Sequence, residues 1–333
     1  MKRVLIIGAG GIARRHIRGY LKTGRAQLWI VEPHEGRRSE VQREYPIQGA
    51  FSDLAQANLK AFDLAVIAAP ANYHIALGQA CADAELPFLT EKPLAVTMEG
   101  VDRLVATVAR GGLPVRVGYV RRSSPETQFF REQLLGGRIG KLRMCYINCS
   151  QEFPKYRPDF QTTYYAKQAM GGGCILDAAS HMFDLLMWVL GPVGQVSGMY
   201  DRLALPGVEA EDCALIALRF RSGAMANIAM NQFQKPNVCN IEMVGEKGNL
   251  LFNATGEILL ATDDSGRWER LYQLAGGSPM ELHEKRFAMQ ANTFMDIVDG
   301  KDGPLTTLTE ARANLQVALA AKESWDTQRI ITL

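Results

Sequence analysis

The sequence predicts an α/β fold with two domains: a doubly wound parallel sheet at the N-terminus, followed by an α+β domain with a large, open, mainly antiparallel sheet. Three observations lead to this prediction. The 333 residues exceed the usual size of one domain. Short apolar runs alternate with helical segments up to residue 120, and strand-like runs follow one another after it. We therefore place the domains at 1–120 and 121–333.

The first domain is predicted from its alternation of strands and helices. Its apolar runs are short and nearly continuous, which is typical of strands that are buried on both faces of a parallel sheet. Ligands bind such a sheet at the carboxyl ends of its strands. The predicted elements are strands near 3–7, 27–32, 47–50, 63–69, 87–90 and 115–118, and helices near 72–84 and 97–110.

A glycine-rich stretch follows the first of these strands. Residues 8–13 read Gly-Ala-Gly-Gly-Ile-Ala and lie between the apolar run Val4–Ile7 and a helical segment at 14–21. After that helix, a second apolar run ends in an acidic residue, Glu32. This order and spacing indicate a Rossmann βαβ unit that binds a dinucleotide.

The small residues of this stretch have separate roles in such a unit. Gly8 permits the tight turn, Gly10 lets the backbone approach a pyrophosphate, and Ala13 allows helix and strand to pack closely. The N-terminus of the helix offers unpaired N–H groups and a positive dipole end to the phosphates. The first domain is therefore expected to bind a dinucleotide.

The end of the second strand bears on the choice between NAD and NADP. A carboxylate at Glu32 accepts hydrogen bonds from the ribose hydroxyls and repels a 2′-phosphate, which favours NAD. Arg37 and Arg38 follow shortly after and would accommodate that phosphate. We predict NAD as the cofactor, with NADP as the alternative.

Composition excludes several other classes of protein. The net charge is +2 and there is no basic block, so nucleic-acid binding is not expected. No apolar run is long enough to span a bilayer, so no membrane partner is expected. The six cysteines form no CxxC pair, which fits a reducing cytoplasm. The five histidines form no HxxxH or HExxH pattern, so no metal site is predicted.

The second domain is predicted to contain a sheet between helices. Turns with glycine and asparagine separate its strand-like runs, which is typical of an open antiparallel meander. The last helix begins with Thr307 and Glu310 in the spacing of a capping box, and we expect it to pack back on the first domain. The predicted elements are helices near 125–136, 180–190, 284–299 and 308–324, and strands near 141–152, 193–202, 212–220, 224–231, 238–244, 248–252 and 257–261.

Polar residues follow the fourth predicted strand. Pro70 marks a turn at the carboxyl end of that strand, where a cofactor would lie. Asn72 or His74 would then form a hydrogen bond with the ribose or the nicotinamide amide. In the alternative interpretation, Asn72 only caps the next helix.

A Glu-Lys-Pro sequence follows the fifth predicted strand. Pro93 keeps Lys92 out of the helical region and holds the chain extended at the strand end. A lysine beside Glu91, in the ligand crevice of a parallel sheet, would donate a hydrogen bond to a substrate oxygen. The alternative is that Glu91 and Lys92 form a solvated ion pair on the surface.

A second glycine run precedes a helix that carries titratable residues. The three glycines at 171–173 allow the backbone to come close to a ligand or to another segment of the chain. Asp177 and His181 are four residues apart, so they share one face of a helical turn. A carboxylate beside an imidazole gives a general base near neutral pH. The alternative is a structural histidine in the core.

Together these motifs resemble those of the Gfo/Idh/MocA family, which is named for glucose-fructose oxidoreductase and inositol dehydrogenase. The resemblance implies a Rossmann domain followed by an α/β domain whose open sheet commonly mediates oligomers. We therefore expect a homodimer or homotetramer that forms through the C-terminal sheet. The resemblance spans nearly the whole chain and rests on the stretch Gly8–Ala13, Pro70 with His74, Glu91–Pro93, Gly171–Asp184, and the tail Thr306–Leu333.

The resemblance also implies roles for individual residues. Lys92 would hold the substrate hydroxyl beside the nicotinamide, and the peptide bond between Lys92 and Pro93 is often cis in the family. His181 would exchange a proton with the substrate oxygen, and Asp177 would assist it or bind an adjacent hydroxyl. One departure is Ala71, where the family usually has asparagine directly after the proline.

The predicted site therefore has three overlapping sets of residues. The predicted catalytic residues are Lys92, Asp177 and His181. The predicted cofactor-binding residues are Gly8, Gly10, Gly11, Ile12, Glu32, Arg37, Ala69, Pro70, Asn72, His74, Glu91, Lys92 and Arg121. The predicted substrate-binding residues are Lys92, Arg157, Tyr164, Asp177 and His181.

Two of the substrate-binding predictions come from a segment with its own resemblance. The sequences Tyr-Arg-Pro-Asp at 156–159 and Tyr-Tyr at 164–165 resemble a subgroup that is associated with bacterial surface-sugar or sialic-acid-type gene clusters. Arg157 would clamp a carboxylate or phosphate of the substrate. The alternative is an exposed arginine in a loop.

The resemblance implies a cytoplasmic NAD(P)-dependent oxidoreductase. It would interconvert a secondary alcohol and a ketone on a sugar, sugar derivative or cyclic polyol. Two alternatives stay open at this point. One is a glycosidase that oxidises its sugar transiently with tightly held NAD. The other is a non-catalytic NAD-bound sensor or transcriptional co-regulator.

Overall fold

In the computed structural model, the chain divides into two compact units. The structure describes residues 1–262, 266–274, 276 and 278–333. Each unit is built from two stretches of sequence. The first unit comprises Met1–Ser124 with Gly277–Arg312, and the second comprises Pro125–Gly276 with Ala313–Leu333.

The predicted strands and helices have counterparts close to their predicted positions, and the structure adds further short elements such as α6 and β14. The strands are β1 Lys2–Ile7, β2 Ala26–Val31, β3 Ile47–Phe51, β4 Leu64–Ile67, β5 Phe88–Thr90, β6 Val115–Val117, β7 Leu142–Glu152, β8 Val193–Asp201, β9 Cys213–Phe220, β10 Met225–Asn231, β11 Phe233–Gly245, β12 Gly248–Phe252, β13 Glu257–Ala261, β14 Glu269–Gln273, β15 Thr306–Thr307 and β16 Ile331–Thr332. The α-helices are α1 Gly11–Lys22, α2 Glu35–Glu44, α3 His74–Asp83, α4 Val101–Gly111, α5 Pro125–Leu135, α6 Phe153–Tyr156, α7 Ser180–Leu190, α8 Pro279–Val298 and α9 Leu308–Thr327.

The sheet of the first unit has the strand order β15-β6-β5-β4-β1-β2-β3. Strands β1 to β6 are parallel to their neighbours, and β15 adds an antiparallel edge. This is the strand order of a Rossmann fold, in which the order of the strands reverses between β1 and β4 while all of them stay parallel. The core beneath it is built from buried strand residues such as Val4, Ile6 and Val66. The predicted doubly wound parallel sheet is confirmed.

The sheet of the second unit has the strand order β14-β13-β12-β11-β7-β10-β9-β8-β16. It is mainly antiparallel, as predicted, but it is not a simple meander. Strand β7 lies between β10 and β11 and runs parallel to β10. The prediction of a meander was wrong here because an apolar pattern identifies the buried face of a strand and not its distant partner.

The two compact units are not separated at one position near residue 120, because each combines two separate stretches of the sequence. Residues 277–312, which include α8, belong to the first unit although they follow the second sheet in sequence. The last helix, α9, begins in the first unit and continues in the second. Within the first unit, its first turn is held by ion pairs of Glu310 with Arg122 and of Arg312 with Asp102.

The starts of the last two α-helices are set by capping boxes. In α9, the Glu310 N–H donates to Thr307 Oγ1 over 3.2 Å, and the Thr307 N–H donates to Glu310 Oε2 over 2.8 Å, as predicted. Helix α8 begins earlier than the predicted residue 284, because Ser278 and Glu281 form the same reciprocal bonds. This second box was not predicted.

One stretch among the described residues, Gln168–Leu190, has the length and hydropathy of a candidate membrane span. Its most apolar window is 67% buried inside the protein. Core helices of globular proteins meet the same criteria, so this is weak evidence for a membrane segment.

Candidate active site

The turn between β1 and α1 leaves room for a phosphate group. At Gly8, where φ is +115°, a Cβ atom would lie 2.5 Å from the Ala68 carbonyl oxygen, so only glycine fits. At Gly10 and Gly11, a Cβ atom would meet no heavy atom within 4 Å. Helix α1 has no side-chain cap at its N-terminus, so no side chain competes for its first N–H groups. The residues of this turn therefore fit the pyrophosphate of a dinucleotide.

Glu32, at the end of β2, supports this turn directly. Its buried carboxylate accepts hydrogen bonds from the N–H groups of Ala9 and His34, each over 2.9 Å. A carboxylate has about four acceptor positions, so capacity remains for ribose hydroxyls. Glu32 thus lies where the sequence predicts it and also holds the glycine-rich turn.

The two arginines after Glu32 differ in their surroundings. Arg38 donates to the carbonyl oxygen of Glu32 over 2.7 Å and to that of Pro33 over 3.2 Å. Arg37 is exposed, and its backbone N–H donates to His34 Nδ1, which caps α2. The guanidinium of Arg38 is therefore bound by two backbone carbonyl oxygens, whereas the side chain of Arg37 extends from the first turn of α2.

The turn after β4 holds His74, one of the residues predicted to bind the cofactor. His74 is buried, with Nε2 2.9 Å from the Ala69 carbonyl oxygen and Nδ1 2.9 Å from that of Pro93. Both ring nitrogens face backbone carbonyls, so His74 joins the segments after β4 and β5, and its role toward the cofactor stays a prediction. Burial lowers the pKa of His74, which favours the neutral imidazole.

Asn72 lies in the short 3-10 turn that follows Pro70 and is exposed. Helix α3 begins without a side-chain cap, so the alternative interpretation of Asn72 as its cap was wrong. The role of Asn72 toward the cofactor stays a prediction.

The Glu-Lys-Pro sequence after β5 is anchored from within the first unit. Glu91 is only 4% exposed, and its Oε1 lies 2.7 Å from Nε2 of the buried His16 on α1. Its Oε2 accepts the backbone N–H of Lys92 over 3.2 Å. A solvated surface ion pair, the alternative interpretation, is therefore excluded for Glu91. The peptide bond between Lys92 and Pro93 is cis, as the resemblance implied.

The surroundings of Glu91 keep its carboxylate ionised. Burial by itself raises the pKa of Glu91, but the hydrogen bond from His16 and the charges of His16 and Lys92 outweigh it, so the pKa lies below the usual value. Gly118 leaves space for this carboxylate, because a Cβ atom there would lie 3.0 Å from Glu91 Oε1. The half-buried Lys92 thus follows a fixed negative charge.

The segment after β6 contains two arginines with different exposure. Arg122 is buried and pairs with Glu310 over 2.9 Å. Arg121, which was predicted to reach the cofactor, is half-buried in the same 3-10 turn. Its role stays a prediction.

In the second unit, the glycine run makes space for other segments of the chain. At Gly172, a Cβ atom would lie 2.2 Å from the Tyr165 carbonyl oxygen. At Gly173, where φ is +96°, it would lie 2.5 Å from the Glu211 carboxylate. The sequence leaves open whether the glycines admit a ligand or another segment of the chain. These two glycines admit other segments of the chain.

We expect Gly172→Ala to lower the free energy of unfolding by about 3 kcal/mol, because the new methyl group collides with backbone that must shift. Urea denaturation of the purified variant measures this loss. Gly111→Ala is the matched control, since a Cβ atom at Gly111, in α4, meets nothing within 4 Å. An equal effect of the two changes would contradict this account of the glycine run.

The glycine run leads into a π-helical turn that carries Asp177. This turn spans Ile175–Ala179 and continues into α7, which carries His181. Asp177 is buried and its Oδ1 accepts a hydrogen bond from the Tyr164 hydroxyl over 2.8 Å. Such π turns are frequent at functional sites. Two predicted substrate-binding residues, Tyr164 and Asp177, are thus brought together.

Two anchoring residues were not predicted. His16 occurs among the buried positions of α1 at helical spacing, and a polar residue on that face was the available signal for a buried partner. Glu211, next to Gly173, had no such signal, because it is far from the glycine run in sequence.

Arg157 directly follows α6 and is half-buried rather than fully exposed.

Two family models match the chain. Residues 2–119 match the model "Oxidoreductase family, NAD-binding Rossmann fold", and residues 127–251 match the model "GFO/IDH/MocA C-terminal domain". Together they cover most of the chain. The chain belongs to the Gfo/Idh/MocA oxidoreductase family.

Known members of this family resemble the chain over its whole length. Myo-inositol 2-dehydrogenase of Thermotoga maritima is 25% identical, over 99% of this chain and 98% of its own. D-glucoside 3-dehydrogenase of Escherichia coli is 25% identical, over 98% and 95%. The crystal structure of the WlbA dehydrogenase from Bordetella pertussis, in complex with NADH and UDP-GlcNAcA, superposes with a TM-score of 0.82 at 25% identity, over 100% and 97%. This chain is therefore an NAD(P)-dependent oxidoreductase.

Proposed function

We propose that the protein interconverts a secondary alcohol and a ketone on a sugar, a sugar derivative or a cyclic polyol. The observation that carries this proposal is the hydrogen-bonded pair of Tyr164 and Asp177, which shortly precedes His181 on the chain. A carboxylate and a hydroxyl that are hydrogen-bonded to each other suit a ligand rich in hydroxyl groups. The relatives named as inositol and glucoside dehydrogenases support the same class of substrate. The cytoplasm is the proposed location.

The proposed chemistry assigns one role to NAD and one to each of three side chains. When bound, NAD supplies the acceptor for the hydride that leaves the carbinol carbon. His181 accepts the hydroxyl proton during oxidation and returns it during reduction. Lys92 donates a hydrogen bond to the substrate oxygen and stabilises the negative charge that develops there. Asp177 orients His181 or binds a neighbouring hydroxyl.

The proposed specificity rests on further polar groups. Arg157 is half-buried and would bind a carboxylate or phosphate on the substrate. The WlbA complex with UDP-GlcNAcA supports a ligand of that kind. Glu32 would accept hydrogen bonds from the ribose hydroxyls of NAD and would repel the 2′-phosphate of NADP. NAD is therefore proposed as the cofactor in preference to NADP.

A panel of sugars, inositols, uronic acids and keto-sugars tests this function. NAD and NADP are compared by the absorbance of the reduced cofactor, NADH or NADPH. We expect NADH to accumulate with at least one polyol or sugar, together with a ketone product. Release of an aglycone without net reduction of NAD would identify a redox-assisted glycosidase instead. NADH binding without any turnover would identify a sensor.

We also propose that the protein forms a homodimer or homotetramer through the exposed face of the second sheet. Met199 on β8 and Leu215 on β9 are 50% and 58% exposed and lie opposite each other in the register of the two strands. Tyr146 on β7 is exposed as well. Apolar side chains in neighbouring strands of an open face are typical of a protein interface.

We expect Leu215→Arg to lower the molar mass in solution to that of the monomer, because it places a charge in the proposed interface. Light scattering during size-exclusion chromatography measures this mass. Leu203→Arg is the matched control, since Leu203 is 66% exposed but lies outside the strands of the sheet. An unchanged mass for Leu215→Arg would refute this interface.

A further inference from the structure

Glu211 binds the beginning of the π-helical turn at two points. Its side-chain Oε1 accepts the Ile175 N–H over 3.1 Å, and its backbone carbonyl accepts the Cys174 N–H over 2.9 Å. Its carboxylate occupies the space that a Cβ atom at Gly173 would need. The Asp177 N–H in turn donates to the Gly173 carbonyl oxygen over 3.1 Å. The backbone that carries Asp177 is therefore held by Glu211, through its side chain at Ile175 and through its backbone carbonyl at Cys174.

The charge of Glu211 is balanced by a residue from α9. Lys322 Nζ lies 2.9 Å from Glu211 Oε2, and both side chains are largely buried. A buried carboxylate without such a partner would be costly to keep ionised. The negative end of the pair also lies at the start of a helical turn, where the N–H groups favour it.

We propose that Glu211, with Lys322 as its counter-ion, is a positioning residue for Asp177 and His181. This inference rests on the proposed function, because it assigns catalytic roles to those two residues. Glu211 acts through the Ile175 amide and not through contact with a substrate. The essential feature is the acceptor oxygen, and the ion pair with Lys322 offsets the cost of burying the carboxylate that carries it.

Two double variants separate the acceptor from the charge. Glu211→Gln/Lys322→Met removes both charges but keeps an acceptor for the Ile175 N–H. Glu211→Leu/Lys322→Met removes the acceptor as well. We expect the leucine variant to lose about 10- to 100-fold in kcat, and the glutamine variant to stay within about threefold of wild type. The KM for NAD and the affinity for NADH are expected to be unchanged in both.

Amide hydrogen exchange supplies a readout that needs no substrate. We expect peptides that cover residues 171–181 to exchange faster in the leucine variant than in the glutamine variant. If the leucine variant does not fold, Glu211→Ala/Lys322→Met replaces it in both comparisons. Equal kcat values and equal exchange in the two double variants would overturn the inference, as would a loss of NADH affinity as large as the loss in kcat.

The proposed function fails separately from this inference. If the wild-type protein turns over no compound of the panel, the proposed function is wrong. The exchange comparison then still decides whether Glu211 fixes the turn that carries Asp177.

Discussion

Replacing His181 with alanine is expected to lower kcat by about 10²–10⁴-fold, the usual cost of losing a general base. This corresponds to roughly 3–5 kcal/mol of activation free energy. Steady-state kinetics on the best substrate of the panel measures the loss. The dissociation constant of NADH, from fluorescence titration, is expected to stay unchanged, because the glycine-rich turn that fits the pyrophosphate belongs to the first unit.

His283→Ala is the control for this experiment. His283 lies on α8 and contacts Arg15, and it has no proposed role in binding or catalysis. Its kcat is expected to match that of the wild type. An unchanged kcat in His181→Ala would remove His181 from the mechanism, and a proportionate loss of NADH affinity would assign it to cofactor binding.

Lys92→Met is expected to reduce kcat by about 10²–10³-fold, because methionine fills similar space but donates no hydrogen bond to the substrate oxygen. The loss should appear in both directions of the reaction, since the same oxygen is bound in the alcohol and in the ketone. Initial rates with NAD and alcohol, and with NADH and ketone, measure it.

Lys60→Met is the control for the lysine, because Lys60 is exposed in the second of two 3-10 turns between β3 and β4. Equal activity of the two variants would exclude a role for Lys92 in the chemical step. Loss in one direction only would indicate a role in product release.

The parts of the site that depend on local backbone constraints were predictable from the sequence. A turn that admits only glycine at Gly8 has a direct sequence signal, and so does the cis bond between Lys92 and Pro93, because cis peptide bonds occur almost only before proline. The same holds for the capping box of Thr307 and Glu310. In each case the residue type itself restricts the conformation, so neighbouring residues are sufficient evidence.

The parts that depend on distant partners were not predictable in this way. His74 has the polarity of a ligand-binding residue, but its partners are two backbone carbonyls that residue types do not reveal. The place of β7 between β10 and β11 follows from pairing over long sequence separations. The run at 171–173 predicted close approach, but not that Glu211 and the backbone of Tyr165 would be what approaches.

The double engagement of Glu32 has a consequence for engineering coenzyme preference. The usual route to NADP is to remove the acidic group that repels the extra phosphate. Here one oxygen of that carboxylate, Oε2, accepts the N–H of Ala9, so removing the carboxylate also removes a hydrogen bond from the turn that we propose binds the diphosphate of either coenzyme. A successful exchange of preference must therefore supply a new acceptor for that amide as well as a new cation.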